Sequence, residues 1–289
     1  MKYFHLSLPL HAVLIITWQL LGTPALAQWS TNPNINNAIS TAANSQGLPT
    51  IVSDGAEGAI ITWEDFRSGT NYDIYAQRIN ASGAVQWSAN GVPISTAESH
   101  QFRPSIVSDG SGGAIITWED NRSGNMDIYA QRINAAGAVQ WTADGVAIST
   151  AAYSQSNPTI VSDGAGGAII TWWDYGIGIN WNVYAQRINA AGAVQWTTNG
   201  VAISTATSSQ YPTIASDGAG GAIITWQDYR SGTYCDISAQ RINSSGAVQW
   251  TANGVAILRA ADHQKFPTIV SDGAGGAIIT WQDYRSGTN

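Results

Sequence analysis

The sequence has 289 residues, of which 44% are hydrophobic and only 11% charged, with a formal net charge of −7 at pH 7. Apolar surface on this scale supports a packed core and excludes a disordered chain. Lysine occurs only at Lys2 and Lys265 and there is no basic run, which argues against nucleic acid or anionic lipid as a partner.

Met1 to Ala27 has the layout of a secretory signal peptide. Lys2 supplies the positive start, an apolar stretch runs from Leu6 to Leu21, and Ala25-Leu26-Ala27 has small residues at the two positions that signal cleavage needs. The apolar run is short for a membrane span and the cleavage site follows it directly. A mature start at Gln28 is therefore expected. So is a secreted, periplasmic or cell-surface location, with no stable membrane span after cleavage.

From Gln28 onward the chain repeats. Pro49, Pro104, Pro158, Pro212 and Pro267 open successive units at spacings of 55, 54, 54 and 55 residues, and Trp63, Trp118, Trp172, Trp226 and Trp281 keep the same spacings. The units are approximately 49–103, 104–157, 158–211, 212–266 and 267–289, the last being partial. Residues 28–48 match the tail of a unit: Asn36 to Thr41 reads NNAIST where Asn199 to Thr205 reads NGVAIST. Self-similarity at this period marks a repeat architecture.

Each unit divides into four strand-like pieces. In the second these are Pro104–Ser108, Gly113–Glu119, Asp127–Asn134 and Ala138–Thr150, rich in Ile, Val, Thr, Trp and Tyr. Turn chemistry separates them, as in Asp109-Gly110 and Ala136-Gly137. An Asn-Gly or Asp-Gly inside the fourth piece (Asp144-Gly145 in this unit) is expected to bulge or split that strand. The second piece, Gly-Ala-Ile-Ile-Thr-Trp, is almost continuously apolar, as suits a sheet covered on both faces. Four short antiparallel strands in about 50 residues, buried front and back, describe a β-propeller blade. The expected fold is all-β, a propeller of four complete blades plus one split or truncated blade. Residues 28–48 would supply the outer strand of the split blade and the partial unit its inner strands. The final unit stops before its third strand-like piece, which predicts a longer protein.

The unit S-D-G-x-G-G-A-I-I-T-W-x-D-x-R-S-G-x-x-x-D-I-Y resembles the repeat of TolB-type propellers, over about half of each unit in the first, second, fourth and fifth copies. It also resembles tandem repeats of uncharacterised secreted and surface proteins of bacteria. Both resemblances imply a propeller outside the cytoplasm, and neither implies an activity.

Candidate ligand residues are the recurring Trp-x-Asp-x-Arg clusters, Trp63/Asp65/Arg67, Trp118/Asp120/Arg122 and Trp226/Asp228/Arg230, repeated at Trp281/Asp283/Arg285. Indole faces stack on sugar rings, and Asp with Arg can grip hydroxyls. The same residues could instead hold the turn between the second and third strands in every copy. The third unit departs from the others around Trp172, Trp173, Asp174 and Trp181. It replaces the arginine with Gly176 and the second aspartate with Asn182, and it adds two tryptophans. Aromatic residues concentrated on one loop make it the place to look for a specialised site.

One cysteine, Cys235, excludes an internal disulfide, and four scattered histidines provide no zinc set. Carboxylates such as Asp65 and Asp73 lack the spacing of known calcium loops. No metal and no cofactor are called for. Near-identical units without a long insertion argue against a unique catalytic constellation. The reading that follows is a non-catalytic binding or scaffold module for carbohydrate or protein. The alternative is a propeller glycosidase or lyase acting on extracellular polysaccharide.

Overall fold

The computed structural model describes residue 32 and residues 34–176, 181–206 and 209–285; the proposed signal peptide and part of the third-unit loop lie outside these. Every regular element among the described residues is a strand. The first unit forms β1 (Gln46–Ser53), β2 (Ala59–Asp65), β3 (Asp73–Ile79) and β4 (Val92–Ser95). The second forms β5 (Gln101–Ser108), β6 (Ala114–Asp120), β7 (Asp127–Ile133) and β8 (Val146–Ser149). The third forms β9 (Gln155–Ser162), β10 (Ala168–Tyr175), β11 (Trp181–Ile188) and β12 (Val201–Ser204). The fourth forms β13 (Ser209–Ser216), β14 (Ala222–Asp228), β15 (Asp236–Ile242) and β16 (Val255–Leu258). The last forms β17 (Gln264–Ser271) and β18 (Ala277–Asp283).

Each complete unit is one antiparallel sheet with its strands in chain order, and β17 pairs with β18 alone. The first strands of successive sheets, β1, β5, β9, β13 and β17, contact one another, so they lie innermost, around the axis. This is the four-stranded propeller blade expected from the period, and the described residues form four complete blades and a two-stranded fifth.

The apolar second strand works because its two faces serve different neighbours. In β6, Ile116 and Trp118 pack backward on Ile60, Ile74 and Ile94 of the first blade. Ile115 points forward into a cluster with Ile160, Ile170 and Trp172 of the third. Each blade thus has a leading face, carrying an Ile and the Trp, and a trailing face, carrying the other Ile. No blade can bury both faces without a neighbour, and burying a large aliphatic side chain contributes about 1.5–3 kcal/mol.

The fourth piece splits where the Asp-Gly or Asn-Gly pair stands. Asp144 (φ +57°) and Gly145 (φ +89°) form a left-handed turn before β8. A Cβ at Gly145 would lie 2.5 Å from Cη2 of Trp118. The glycine is therefore the seat of the blade's own buried tryptophan. The stretch ahead of the turn is held by Gln131, whose Nε2 donates to Thr142 O (2.8 Å) and whose Oε1 accepts from Trp141 N (2.9 Å).

Blades are also tied at the rim. Arg78 Nε donates to Asp54 Oδ2 (2.9 Å) within its blade, and its Nη1 reaches Ala135 O (3.1 Å) in the next. Trp87 Nε1 donates to that same carbonyl (3.1 Å). Arg132 with Trp141, and Arg187 with Trp196, repeat the arrangement onto Ala190 O and Ser244 O. In these three blades the arginine of A-Q-R-I-N is thereby paired within its blade and bonded across the blade boundary.

Candidate functional site

The Trp-x-Asp-x-Arg clusters close on themselves. Trp63 Nε1 donates to Asp65 Oδ2 (2.7 Å), Arg67 Nε to Asp65 Oδ1 (2.8 Å), and Arg67 Nη2 to Asn90 O (2.7 Å). Its guanidinium carbon sits 3.7 Å from the ring centre of Tyr75. Trp118, Asp120 and Arg122 repeat this, with Arg122 over Tyr129. In the fourth blade Arg230 pairs with Asp228 and donates to Asn253 O. Trp118, Trp172 and Trp226 are fully buried and present no ring face to solvent. Burial pulls the Asp65 carboxyl upward, but bonds from Arg67 and Trp63 hold it below its usual range.

The third blade shows what the arginine does. Asp174 keeps its buried place, but Gly176 stands where its guanidinium partner would be, and burial pushes Asp174 up to about 6. Its opposite number in the β10–β11 ladder is Asn182, where the other complete blades have aspartate. One positive and one negative charge have been removed together.

The strongest departure from uniformity lies at the axis. Each innermost strand bulges at its proline, and the residue just before it has a left-handed backbone: Leu48 (φ +44°), Arg103 (+49°), Asn157 (+52°), Tyr211 (+54°) and Phe266 (+52°). Residues before proline favour extended backbone, and left-handed non-glycine residues cost about 1–3 kcal/mol each, which points to a functional rim. These five side chains all differ, inside units that otherwise nearly repeat.

They meet a second varying position, the middle residue of Trp-x-Asp, on the trailing face of the preceding blade. Glu64 Oε1 accepts from Arg103 N (2.7 Å), and Glu119 Oε1 accepts from Asn157 N (2.7 Å). Arg103 Nη1 also donates to Glu119 Oε1 (3.1 Å). Arg103 therefore bridges two carboxylates that are 7% and 2% exposed. Burial raises the Glu64 carboxyl and the charge of Glu119 adds to the rise, while the backbone bond and the charge of Arg103 oppose it. Leu48, Glu64, Phe102, Arg103, Glu119 and Met126 line a cavity of about 320 Å³ there.

Round the rim the same two positions become aromatic. Trp173, the counterpart of Glu119, lies edge-on to Tyr211 (ring centres 4.6 Å apart) and to Trp181 (5.2 Å). Tyr211 continues to Phe266 (6.2 Å). Trp173 and Trp181 are half-buried, whereas Tyr211 and Phe266 are exposed. The structure thus brings Trp173 and Trp181 to one place and keeps Trp172 in the core. Sequence reasoning passed over Glu64, Arg103 and Glu119. The signal that marks them is variation at two fixed positions in otherwise constant repeats.

No family model and no curated protein matches the chain. Among solved structures it is similar to an alpha-L-arabinanase from Penicillium chrysogenum complexed with arabinobiose, at 11% identity and a TM-score of 0.50, over 81% of this chain and 74% of that one. It is also similar to an endo-arabinase from Bacteroides thetaiotaomicron, at 13% identity and a TM-score of 0.46, over 86% and 93%. A third is an alpha-L-arabinofuranosidase from Clostridium thermocellum, at 11% identity and a TM-score of 0.45, over 75% and 76%. At these identities the likeness is one of fold, an all-β propeller with about five blades. The resemblance to TolB-type repeats is corrected by this comparison, since the structural neighbours are propeller glycosidases instead. The physical reason is that the shared motif spells a turn. S-D-G and D-x-R-S-G are stretches where Asp54 and Asp65 accept bonds from the backbone of their own loops, a need that any short antiparallel blade has.

Proposed function

We propose that the axial rim is the active site of a propeller glycosidase acting on polysaccharide. The observation that carries this is the single pair of buried glutamates of unlike environment, Glu64 with a raised carboxyl and Glu119 in an ion pair, bracketing Arg103. Glycosidases use two carboxyl groups in separate roles around an oxocarbenium-like transition state. Glu64, whose Oε1 is engaged by Arg103 N, carries a proton on its other oxygen and gives it to the leaving glycosidic oxygen. Water adds to the anomeric carbon as that bond breaks, and its proton passes to Glu119. The negative charge of Glu119, oriented by Arg103 and Asn157, stabilises the cationic ring. Trp173, Trp181, Tyr211 and Phe266 offer apolar ring faces for neighbouring sugars. The fold neighbours named above act on arabinose polymers or arabinosides, which supports carbohydrate as the substrate class.

The test is release of reducing ends from arabinan and a panel of other polysaccharides, with Glu64→Gln and Glu119→Gln run in parallel. Turnover by the parent chain, lost in both variants, is the expected result. Binding on a glycan array without turnover of any substrate would return the protein to a non-catalytic carbohydrate-binding role. Substrate is met outside the cytoplasm if Met1–Ala27 is an export segment; N-terminal sequencing of the exported protein should then begin at Gln28.

A further inference from the structure

Inside the chain one interface recurs. The trailing face of each blade offers an aliphatic residue from its first strand and an isoleucine from its second. These meet the leading-face Ile and Trp of the next blade, as Val52 and Ile60 meet Ile106, Ile116 and Trp118. Val107 and Ile115 repeat the match with Ile160, Ile170 and Trp172. A polar pair accompanies it, since Gln227 Oε1 in the fourth blade accepts from Phe266 N (3.3 Å) in the fifth.

Both halves of this interface also lie open. The trailing face of β17–β18 presents Val270 and Ile278, 58% and 59% exposed, with Gln282 beside them. The leading face of the first blade presents Ile51, 65% exposed, above a cavity of about 260 Å³ lined by Ile39, Pro49, Ile61 and Trp63. Ile39 packs on Trp63 as Ile94 packs on Trp118. The segment around Ile39 therefore takes the place of a blade's outer edge, and among the described residues no inner strand stands beside it. The other end carries inner strands, β17 and β18, which among the described residues pair only with each other. Each open face lacks what the other displays.

We propose that these faces join two copies of this chain head to tail, β17–β18 of one copy seating on Ile51, Ile61 and Trp63 of the next. This inference is independent of the glycosidase reading. The match follows from the internal interfaces: Val270 and Ile278 take the places of Val52 and Ile60, and Gln282 Oε1 accepts from Leu48 N as Gln227 does from Phe266. The contact is heterologous, so it leaves one face of each kind open and continues until it closes into a ring.

Light scattering on the purified chain, up to about 50 μM, a range that detects micromolar contacts, reads the assembly. Masses above one chain that rise with concentration are expected. Ile51→Asp and Ile278→Asp alter exposed side chains, so each should fold with unchanged circular dichroism and remain a monomer. An equimolar mixture of the two has one intact face of each kind and should give 1:1 dimers and nothing larger. A parent chain that is monomeric throughout, whether open or closed on itself, overturns the proposal. So does a mixture that forms no dimer, which would point to a symmetric contact or to some other occupant of these faces.

Discussion

Constancy and variation mark different jobs in a repeat protein. Asp65, Asp120 and Asp228 are constant because each anchors an arginine and a turn, and every blade needs that turn. Glu64, Glu119, Trp173 and Gln227 occupy one structural position with three chemistries, so the blade does not dictate the residue. That freedom is what a site can use. If Glu64 is the proton donor, Glu64→Gln should lower kcat by about 10²–10⁴-fold with little change in Tm, measured on the best substrate of the panel. In the parent, activity should fall as pH rises through the raised Glu64 pKa, and that limb should be absent from any residual activity of the variant. Asp174 makes a separate residue-scale case. Its folded pKa of about 6 lies above the ordinary aspartate value of 3.8, so the fold favours the protonated form. The corresponding stability is complete below the ordinary value and is lost as pH rises through about 6. Asp174→Asn should therefore raise Tm at pH 8 relative to the parent, by roughly 1–3 kcal/mol of stability, and the gap should close by pH 4. A pH-independent gap would show that burial of the charge is not what strains this blade.

At the level of the blade, the tryptophan and its glycine seat decide the geometry. Two glycines of one unit separate space from conformation. At Gly145 a Cβ would strike Trp118 at 2.5 Å, and the φ is +89°. At Gly110 the φ is +75°, but a Cβ meets nothing within 4 Å. Gly110→Ala should cost about 1–2 kcal/mol, the left-handed penalty alone. Gly145→Ala adds overpacking and should cost roughly 2–5 kcal/mol in urea unfolding. Equal losses would mean that the indole moves aside freely. The sequence made the blade legible through period, strand-forming residues and turn glycines, since those signals are local. The glycine seat was visible only as a possible bulge or split, because its partner lies twenty-seven residues earlier in β6. The axial carboxylates were hidden for the same reason: Glu64 and Arg103 are thirty-nine residues apart, and only the blade-to-blade packing brings them together. Near-identity of the units drew attention to what repeats, whereas the site lies in what does not.

For the whole molecule, stability follows from how many neighbours a blade has. Quasi-linear arrays are stabilised by each unit and by its interfaces, so interior units are held more firmly than terminal ones. The second and third blades are covered on both faces, by apolar clusters that include Trp118, Trp172 and Trp226. The β17–β18 pair has one covered face, one bare face and no third strand beside β18 among the described residues. Its backbone bonds are the most accessible to local opening. In native-state hydrogen exchange at low protein concentration, amides of β18 should therefore exchange at least about 10²-fold faster than those of β6 and β10, corresponding to ~3 kcal/mol less protection. The equivalent strand β14 carries the same A-I-I-T-W-Q-D sequence as β18, so intrinsic exchange chemistry is matched and only the packing differs. Uniform protection across β6, β10, β14 and β18 would mean that the last two strands are locked into one cooperative unit with the rest. The bare face of β18 would then be covered even in dilute solution, by closure of the chain onto its own first blade.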